Sequence, residues 1–368
     1  MGIEVSWFAA LCDDDYEFLG VPEAPLRSSW EHCRNIALVA EQAGYDNLLL
    51  PSGYTMGIDS VAFAAGIAPL LRRMRLLLAV RMGEMWPPQL ARQLASIDQM
   101  LDGRLTINII SSGVPGQELD SAPRYRRTLE YMRVLRDLLG GKPAEFHGEF
   151  LDLAVEPPRL CAERSQCPPF YFGGLSDEAK EVAAQGADVF LMWPDTLAGV
   201  ATVLDDMRAR AARYERTLRF GFRAHVIVRA TEAEARAAAR RLVSRLSAAE
   251  GEAIRRRSLD TTSTGTRRQN ELREEADDEG YAEAGLWTGI GRARSGAGAA
   301  IVGDPDQVLA KLRAYADLGI ESFILSGYPH AAEADLFARH VLPGLDHAPL
   351  SFLSAHTRLT ARAPSGTI

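Results

Sequence analysis

Arg223 and His225 sit two residues apart in Phe220-Gly221-Phe222-Arg223-Ala224-His225-Val226-Ile227-Val228, a run of strand composition. Alternation sends both side chains to the same face. A buried guanidinium needs an anion, so the pair reads as an active-site pair, with a satisfied core histidine as the alternative. Arg294, in Gly291-Arg292-Ala293-Arg294-Ser295-Gly296, adds a third cation unless it or Arg292 is a solvated loop arginine. Together they would make a cationic pocket for a sulfonate, a carboxylate or a flavin peroxide. Gly173-Gly174-Leu175-Ser176-Asp177 lies between a strand and a helix. Two glycines let backbone approach a ligand, and free N–H groups at a helix start favour phosphate; Ser176 or Asp177 could equally be a plain helix cap. Ser326-Gly327-Tyr328-Pro329-His330 follows the last strand, and Trp193 closes the sixth, where each aromatic also reads as rim packing. No paired carboxylates, Ser-His-Asp set, Walker loop or dinucleotide fingerprint accompanies them. Chemistry with so few protein acids and bases points to a cofactor for the hard step.

The elements that must position these residues alternate regularly. Strands are expected near 3–8, 46–50, 74–80, 104–110, 169–173, 188–192, 222–228 and 322–326, each a short run rich in Val, Ile, Leu or Phe. Helices are expected near 28–43, 59–72, 87–102, 123–140, 176–184, 197–213, 232–247, 305–318 and 331–347. Thr231 and Asp304-Pro305 are start signals. Eight strand–helix pairs predict an α/β fold of the (β/α)8 TIM-barrel type, with a doubly wound open sheet as the alternative. A barrel places its site at the carboxyl ends of the strands, where the residues above fall together with Ser52-Gly53-Tyr54, Arg81 and Ser111-Ser112-Gly113.

One barrel domain is expected over 1–347, with insertions near 112–122, 141–168 and 248–303 and a weakly ordered tail over 348–368. Phe146-His147-Gly148-Glu149-Phe150 reads as a small hairpin. The 248–303 segment, between strands 7 and 8, carries Arg255-Arg256-Arg257, Arg267-Arg268 and Glu274-Glu275. It is either a solvated helix face or a mobile lid over the barrel mouth.

The 368 residues include 47% hydrophobic and 24% charged, and the net charge is −8. An acidic chain argues against nucleic acid but leaves an anionic small substrate open. Cys12, Cys33, Cys161 and Cys167 are scattered without zinc-site spacing, so no metal is expected and reduced thiols are. Apolar runs such as Leu76 to Val80 are too short to span a bilayer. The amino-terminal residues lack a signal-peptide pattern. The expectation is a cytoplasmic protein with no membrane partner.

Four blocks in order resemble the bacterial luciferase-like flavin-dependent monooxygenases, and among them the two-component alkanesulfonate monooxygenases. They are 170–177, 220–228, 286–304 and 325–330. The resemblance runs from the first strand to about residue 347. It implies reduced FMN (FMNH2) delivered by a separate NAD(P)H-dependent flavin reductase, reaction with O2 through a flavin peroxide, and conversion of a small anionic organosulfur substrate to aldehyde and sulfite. It implies active-site roles for Arg223, His225, Arg294 and Tyr328. Flavin and phosphate contacts are implied for Asn108, Arg124, Tyr125, Gly174, Leu175, Ser176 and Trp193. It also implies that the long insertion shields the site, and that the chain forms a homodimer or homotetramer. Two positions depart from the family: Cys12 stands where relatives carry a histidine, and Ser52-Gly53-Tyr54-Thr55-Met56-Gly57 replaces a segment with a cysteine. Cys12, Met56 and His330 are therefore the expected substrate pocket. The changed pocket leaves open a sulfone, another sulfonate or a biosynthetic intermediate. A deazaflavin-dependent oxidoreductase, a non-catalytic flavin-binding partner and a phosphate-binding barrel lyase or isomerase are the competing readings.

Overall fold

The computed structural model describes residues 2–256, 263–294 and 296–352. Eight strands form the frame: β1 (Glu4–Phe8), β2 (Asn47–Leu50), β3 (Arg75–Arg81), β4 (Leu105–Ile110), β5 (Phe170–Gly173), β6 (Val189–Met192), β7 (Arg219–Val228) and β8 (Ser322–Ser326). Each pairs in parallel with its neighbours in chain order. β8 pairs with β1, with Glu4 opposite Ser322, so the sheet closes on itself. This is the expected barrel, and closure removes the open-sheet alternative. No helix among the described residues is long and apolar enough to cross a membrane.

The strand pleat sorts the side chains. Trp7, Leu48, Leu76, Leu78 and Phe172 face outward into the apolar layer under the helices. The lumen is polar for a barrel interior. Glu4, Ser6, Asn47, Thr106, Tyr171 and Ser322 are all buried, and each needs partners to offset lost hydration. Asn47 donates to the Thr106 hydroxyl at 3.1 Å. Glu4 accepts from Tyr171 and Ser322 at 2.9 and 3.0 Å, and burial raises its pKa.

Helix boundaries follow the local signals. Thr231 and Glu234 form a capping box at the start of Glu232–Leu242, and Asp304 and Gln307 form another at Pro305–Leu318. The hairpin predicted around residue 146 is present as strands Ala144–His147 and Asp152–Val155.

Three differences from the sequence reading have physical causes. β7 begins at Arg219 rather than 222 and runs ten residues, because it pairs with three parallel strands in turn. Gly221 to His225 pair with β8, while His225 to Val228 pair with a further parallel strand, Ala300–Gly303. That strand and the pieces Tyr281–Glu283 and Leu286–Trp287 lie inside the insertion, too short for periodicity to reveal. Second, the residues just beyond 347 are not a loose tail. Leu350 is buried and belongs to the apolar cluster of the lumen, with Leu49, Leu77, Tyr171 and Ile324. Its N–H donates to Glu4 at 3.2 Å, and Arg75 donates to its carbonyl at 2.6 Å. It fills the amino-terminal mouth of the barrel; positions 353–368 of the expected tail lie outside the described residues. Third, the insertion packs as helices Ala248–Arg256 and Thr264–Glu274 followed by a small sheet. Arg257 of the basic run and Ser295 lie outside the described residues.

Candidate active site

Every strand contributes a residue at or just past its carboxyl end, and these gather at one mouth of the barrel. Going round, these are Phe8 and Cys12 after β1, Met56 after β2, Arg81 on β3, Asn108 on β4, Gly174 after β5, Trp193 after β6, Arg223 and His225 on β7, and Tyr328 after β8. A cavity of about 540 Å³ opens there. Its wall includes Phe8, Cys12, Asp14, Met56, Arg81, Trp193, Arg294 and Tyr328, with Ile254 and Ala293 from the insertion.

The four expected catalytic side chains form one connected group. Arg294 donates to Asp14 at 3.0 Å and to the Tyr328 hydroxyl at 2.8 Å. Arg223 and Arg294 both lie over the Phe8 ring, 4.4 and 5.3 Å from its centroid. Such cation–π contacts stabilise a desolvated guanidinium without neutralising it. Arg223 has no carboxylate partner among the described residues and donates instead to the Ser326 hydroxyl at 2.8 Å and to backbone carbonyls. Burial and then the nearby Arg294 push its pKa down to about 9. For Arg294 burial also opposes the charge, but Tyr328 and Asp14 outweigh it and hold the pKa above its ordinary value. His225 stacks on Tyr328, centroids 5.1 Å apart. Burial, then Arg223, Arg294 and His330, hold its pKa well below the usual range, so the ring is neutral.

His330 is corrected as a pocket residue. It is fully buried behind Phe8 and Tyr328 rather than on the cavity wall. Its Nδ1 lies 3.0 Å from Asp15, whose other oxygen is 2.9 Å from His32. Burial opposes the Asp15 charge, yet the two imidazoles and the His330 N–H outweigh it and hold the pKa well below the usual carboxylate range. Cys12 and Met56 do line the cavity. Burial and Asp14 push the Cys12 thiol up to about 12 against the pull of Arg294 and Arg81, so it is no nucleophile at neutral pH. Arg223 and His225 lie one layer below the wall, under Tyr328 and Phe8.

The sequence reading missed the run Asp13-Asp14-Asp15, whose signal was its place just past β1. Asp14 keeps one buried oxygen, Oδ1, without a hydrogen-bond partner. Asp13 accepts from the Gly57 N–H at 3.1 Å and pins the Ser52–Gly57 loop. Arg81 was named only as a strand-end arginine. It is buried, holds Glu84 at 2.9 Å and shares the cavity wall with Arg294.

The expected flavin positions gather between β4 and β6. The Tyr125 hydroxyl would stand 3.5 Å from a Cβ on Gly174, whose φ is +155°. That Cβ would meet Ala179 at 2.6 Å, so only glycine fits the turn. Ser176 caps the helix Asp177–Gly186 by accepting from the Ala179 N–H at 3.2 Å, which makes the helix-cap reading of this serine correct. Leu175 is half-buried beside it, and Asn108 lies in the lumen opposite Tyr171. Arg124, stacked over Tyr125, has a buried Nε with no partner, and so has the Ser112 hydroxyl. A close-approach glycine with unsatisfied buried donors beside a helix start suits the phosphate of a flavin. The Trp193 indole lies against Gly265 and Gly296 of the insertion; a Cβ on Gly265 would be 2.9 Å from the ring. A further tie holds the insertion here, Gln269 to the Pro194 carbonyl at 2.7 Å, while Arg273 to the Gly291 carbonyl at 2.8 Å joins two parts of the insertion itself.

The model of the luciferase-like monooxygenases matches residues 16–322. The chain belongs to that family. It is a flavin-dependent monooxygenase with a closed eight-stranded barrel. A sulfoquinovose monooxygenase of Novosphingobium aromaticivorans is 60% identical over 355 residues, 95% of this chain and 98% of that one. A sulfoquinovose monooxygenase of Agrobacterium fabrum is 47% identical over 365 residues, 98% of this chain and 94% of that one. The crystal structure of a riboflavin lyase with modified FMN and riboflavin superposes with a TM-score of 0.77. It covers 98% of this monooxygenase and 96% of the lyase at 15% identity, a likeness of fold alone.

Proposed function

We propose that this monooxygenase uses reduced FMN from a separate NAD(P)H-dependent reductase, together with O2, to oxygenate a sulfonated sugar of the sulfoquinovose type, releasing sulfite. The observation that carries the substrate class is the mixed character of the cavity wall. Arg81 and Arg294 offer cations for a sulfonate, while Asp13, Asp14, Glu23, Ser52 and Thr55 share the same wall. A plain alkanesulfonate would leave those acceptors facing hydrocarbon, at a cost in unpaired polar groups. A sugar brings hydroxyls to satisfy them, and the unpartnered Asp14 Oδ1 is a ready acceptor. The names of the two relatives support the same reading.

Gly174, Tyr125, Arg124 and Asn108 would hold the flavin, and Trp193 would flank it. Reduced flavin supplies the activation of dioxygen. Arg294 and Arg223 bind anionic oxygen and steady developing negative charge, a role that grows in a water-poor site. Tyr328 orients Arg294 through its hydroxyl. Neutral His225 is a hydrogen-bonding group rather than a cation. The insertion, through Ile254 and Ala293, excludes water from the cavity.

Anaerobic titration with reduced FMN, followed by oxygen with either sulfoquinovose or a panel of alkanesulfonates, tests the proposal by sulfite detection. Sulfite from sulfoquinovose in preference to the panel is the expected result. Sulfite from the alkanesulfonates alone would overturn the sugar assignment, and failure to bind reduced FMN would overturn the cofactor.

A further inference from the structure

We propose that Ser326 and Asp15 are positioning residues that set the protons of the two histidines beside Tyr328 on different ring nitrogens, Nε2 of His225 and Nδ1 of His330. The two rings meet the same tyrosine. His225 stacks on its face, and His330 meets it edge-on, each with centroids 5.1 Å away. Both rings are fully buried, and each has a buried Nε2 with no aligned hydrogen-bond partner.

The protonation follows from what each neighbour can donate. A guanidinium has donors and no acceptor. Arg223 Nη2 is 2.8 Å from Ser326 Oγ, so that oxygen accepts from Arg223. The same Oγ is 2.8 Å from His225 Nδ1. No other acceptor is within reach of this buried hydroxyl among the described residues, so its one hydrogen goes to Nδ1. Neutral His225 therefore carries its proton on Nε2. The Ala297 carbonyl favours a proton on this ring too.

At His330 the logic inverts. Ionised Asp15 only accepts. Its Oδ1 receives the N–H groups of Tyr16 and His330 at 2.9 and 3.0 Å and stands 3.0 Å from His330 Nδ1, while Oδ2 is 2.9 Å from His32 Nε2. Nδ1 must be the donor. His32, on the helix Trp30–Ala43, braces the carboxylate from outside with its side chain 12% exposed. Ser326 thus places a proton on Nε2 of one ring and Asp15 one on Nδ1 of the other, on two sides of the tyrosine that holds Arg294.

The test is a two-bond ¹H–¹⁵N correlation spectrum of the full chain with ¹⁵N-histidine, which distinguishes the tautomers. The chain has seven histidines, and His225→Gln and His330→Gln assign the two signals. The expected spectrum has the His225 proton on Nε2 and the His330 proton on Nδ1. Ser326→Ala should shift His225 toward the other tautomer and lower kcat at least about tenfold with little change in KM for sulfoquinovose. Ser326→Thr, which keeps the hydroxyl, should restore both, and Asp15→Asn should shift His330, with its neighbour His32, and leave His225 unchanged. A wild-type His225 protonated on Nδ1, or a fall in kcat for Ser326→Ala with its tautomer unchanged, would overturn the proposal. The wild-type spectrum decides even if a variant does not fold. Only the kinetic arm rests on the sulfonated-sugar reading. If that reading fails, no variant turns the sugar over while the spectra stand.

Discussion

Arg268 grips Asp195 through two parallel contacts, Nε to Oδ2 at 2.7 Å and Nη2 to Oδ1 at 2.9 Å. This joins the insertion helix Thr264–Glu274 to the loop two residues past Trp193. Both side chains are largely sheltered, 27% and 13% exposed, so the pair is less screened than an ordinary surface bridge. Arg268→Ala should loosen the insertion without unfolding the barrel. Limited proteolysis should cut faster between residues 263 and 294, and KM should rise about tenfold, for a loss of about 1.5 kcal/mol. Arg268→Lys should recover little, because an ammonium cannot reproduce the fork.

In the proposed function Arg223 is kept for its charge rather than for stability. Its guanidinium is buried with no carboxylate partner among the described residues, which costs folding free energy. Arg223→Met should leave the melting temperature unchanged or raised and lower kcat/KM at least about a hundredfold. Calorimetry together with a sulfite assay checks both halves. A large drop in stability with activity kept would place this residue among the structural cations.

Gly174→Ala puts a methyl 2.6 Å from the Ala179 Cβ at a φ of +155°. The expected cost is about 1–3 kcal/mol of local strain. Affinity for reduced FMN should fall while the barrel still folds, as circular dichroism and anaerobic fluorescence titration would report. Unchanged affinity would move the phosphate site elsewhere.

All four thiols are raised by burial, Cys12, Cys33 and Cys167 to about 12 and Cys161 to about 11. Native protein at pH 8 should react slowly with maleimide at every cysteine. Above about pH 9 the unfolded chain loses thiol protons that the native state keeps, so stability falls as pH rises from about 9 towards 12, by about 1.4 kcal/mol per unit for each thiol. Urea midpoints at pH 8 and 10 measure the slope, and Cys12→Ser should flatten it. Rapid labelling of Cys12 at pH 8 would contradict its environment here.

The barrel was legible because each strand is a short apolar run beside a helical one, and parallel strands buried on both faces carry that signal. Arg223, His225 and Tyr328 stood out because cations and aromatics at strand ends are costly unless used, and Arg294 because it lies in a glycine-rich loop; the structure brings the four together. The acidic run after β1 was not. Its three carboxylates look like a solvated turn until folding sets Asp14 on Arg294, Asp15 on two histidines and Asp13 under Gly57. His330 misled for a related reason, since position past the last strand says nothing of which side of Tyr328 the ring takes. The strand Ala300–Gly303 and the seat of Leu350 depend on pairings across 70 residues or more, beyond any local pattern.

With Leu350 seated at the amino end of the barrel, the open cavity lies at the opposite mouth, walled in part by Trp193 and the insertion. In the proposed reaction, substrate, cofactor and oxygen would arrive through that doorway and sulfite would leave by it. Shared traffic of this kind would make order of arrival a property of the architecture, and it would put the ties that hold the insertion on the route of the molecules exchanged.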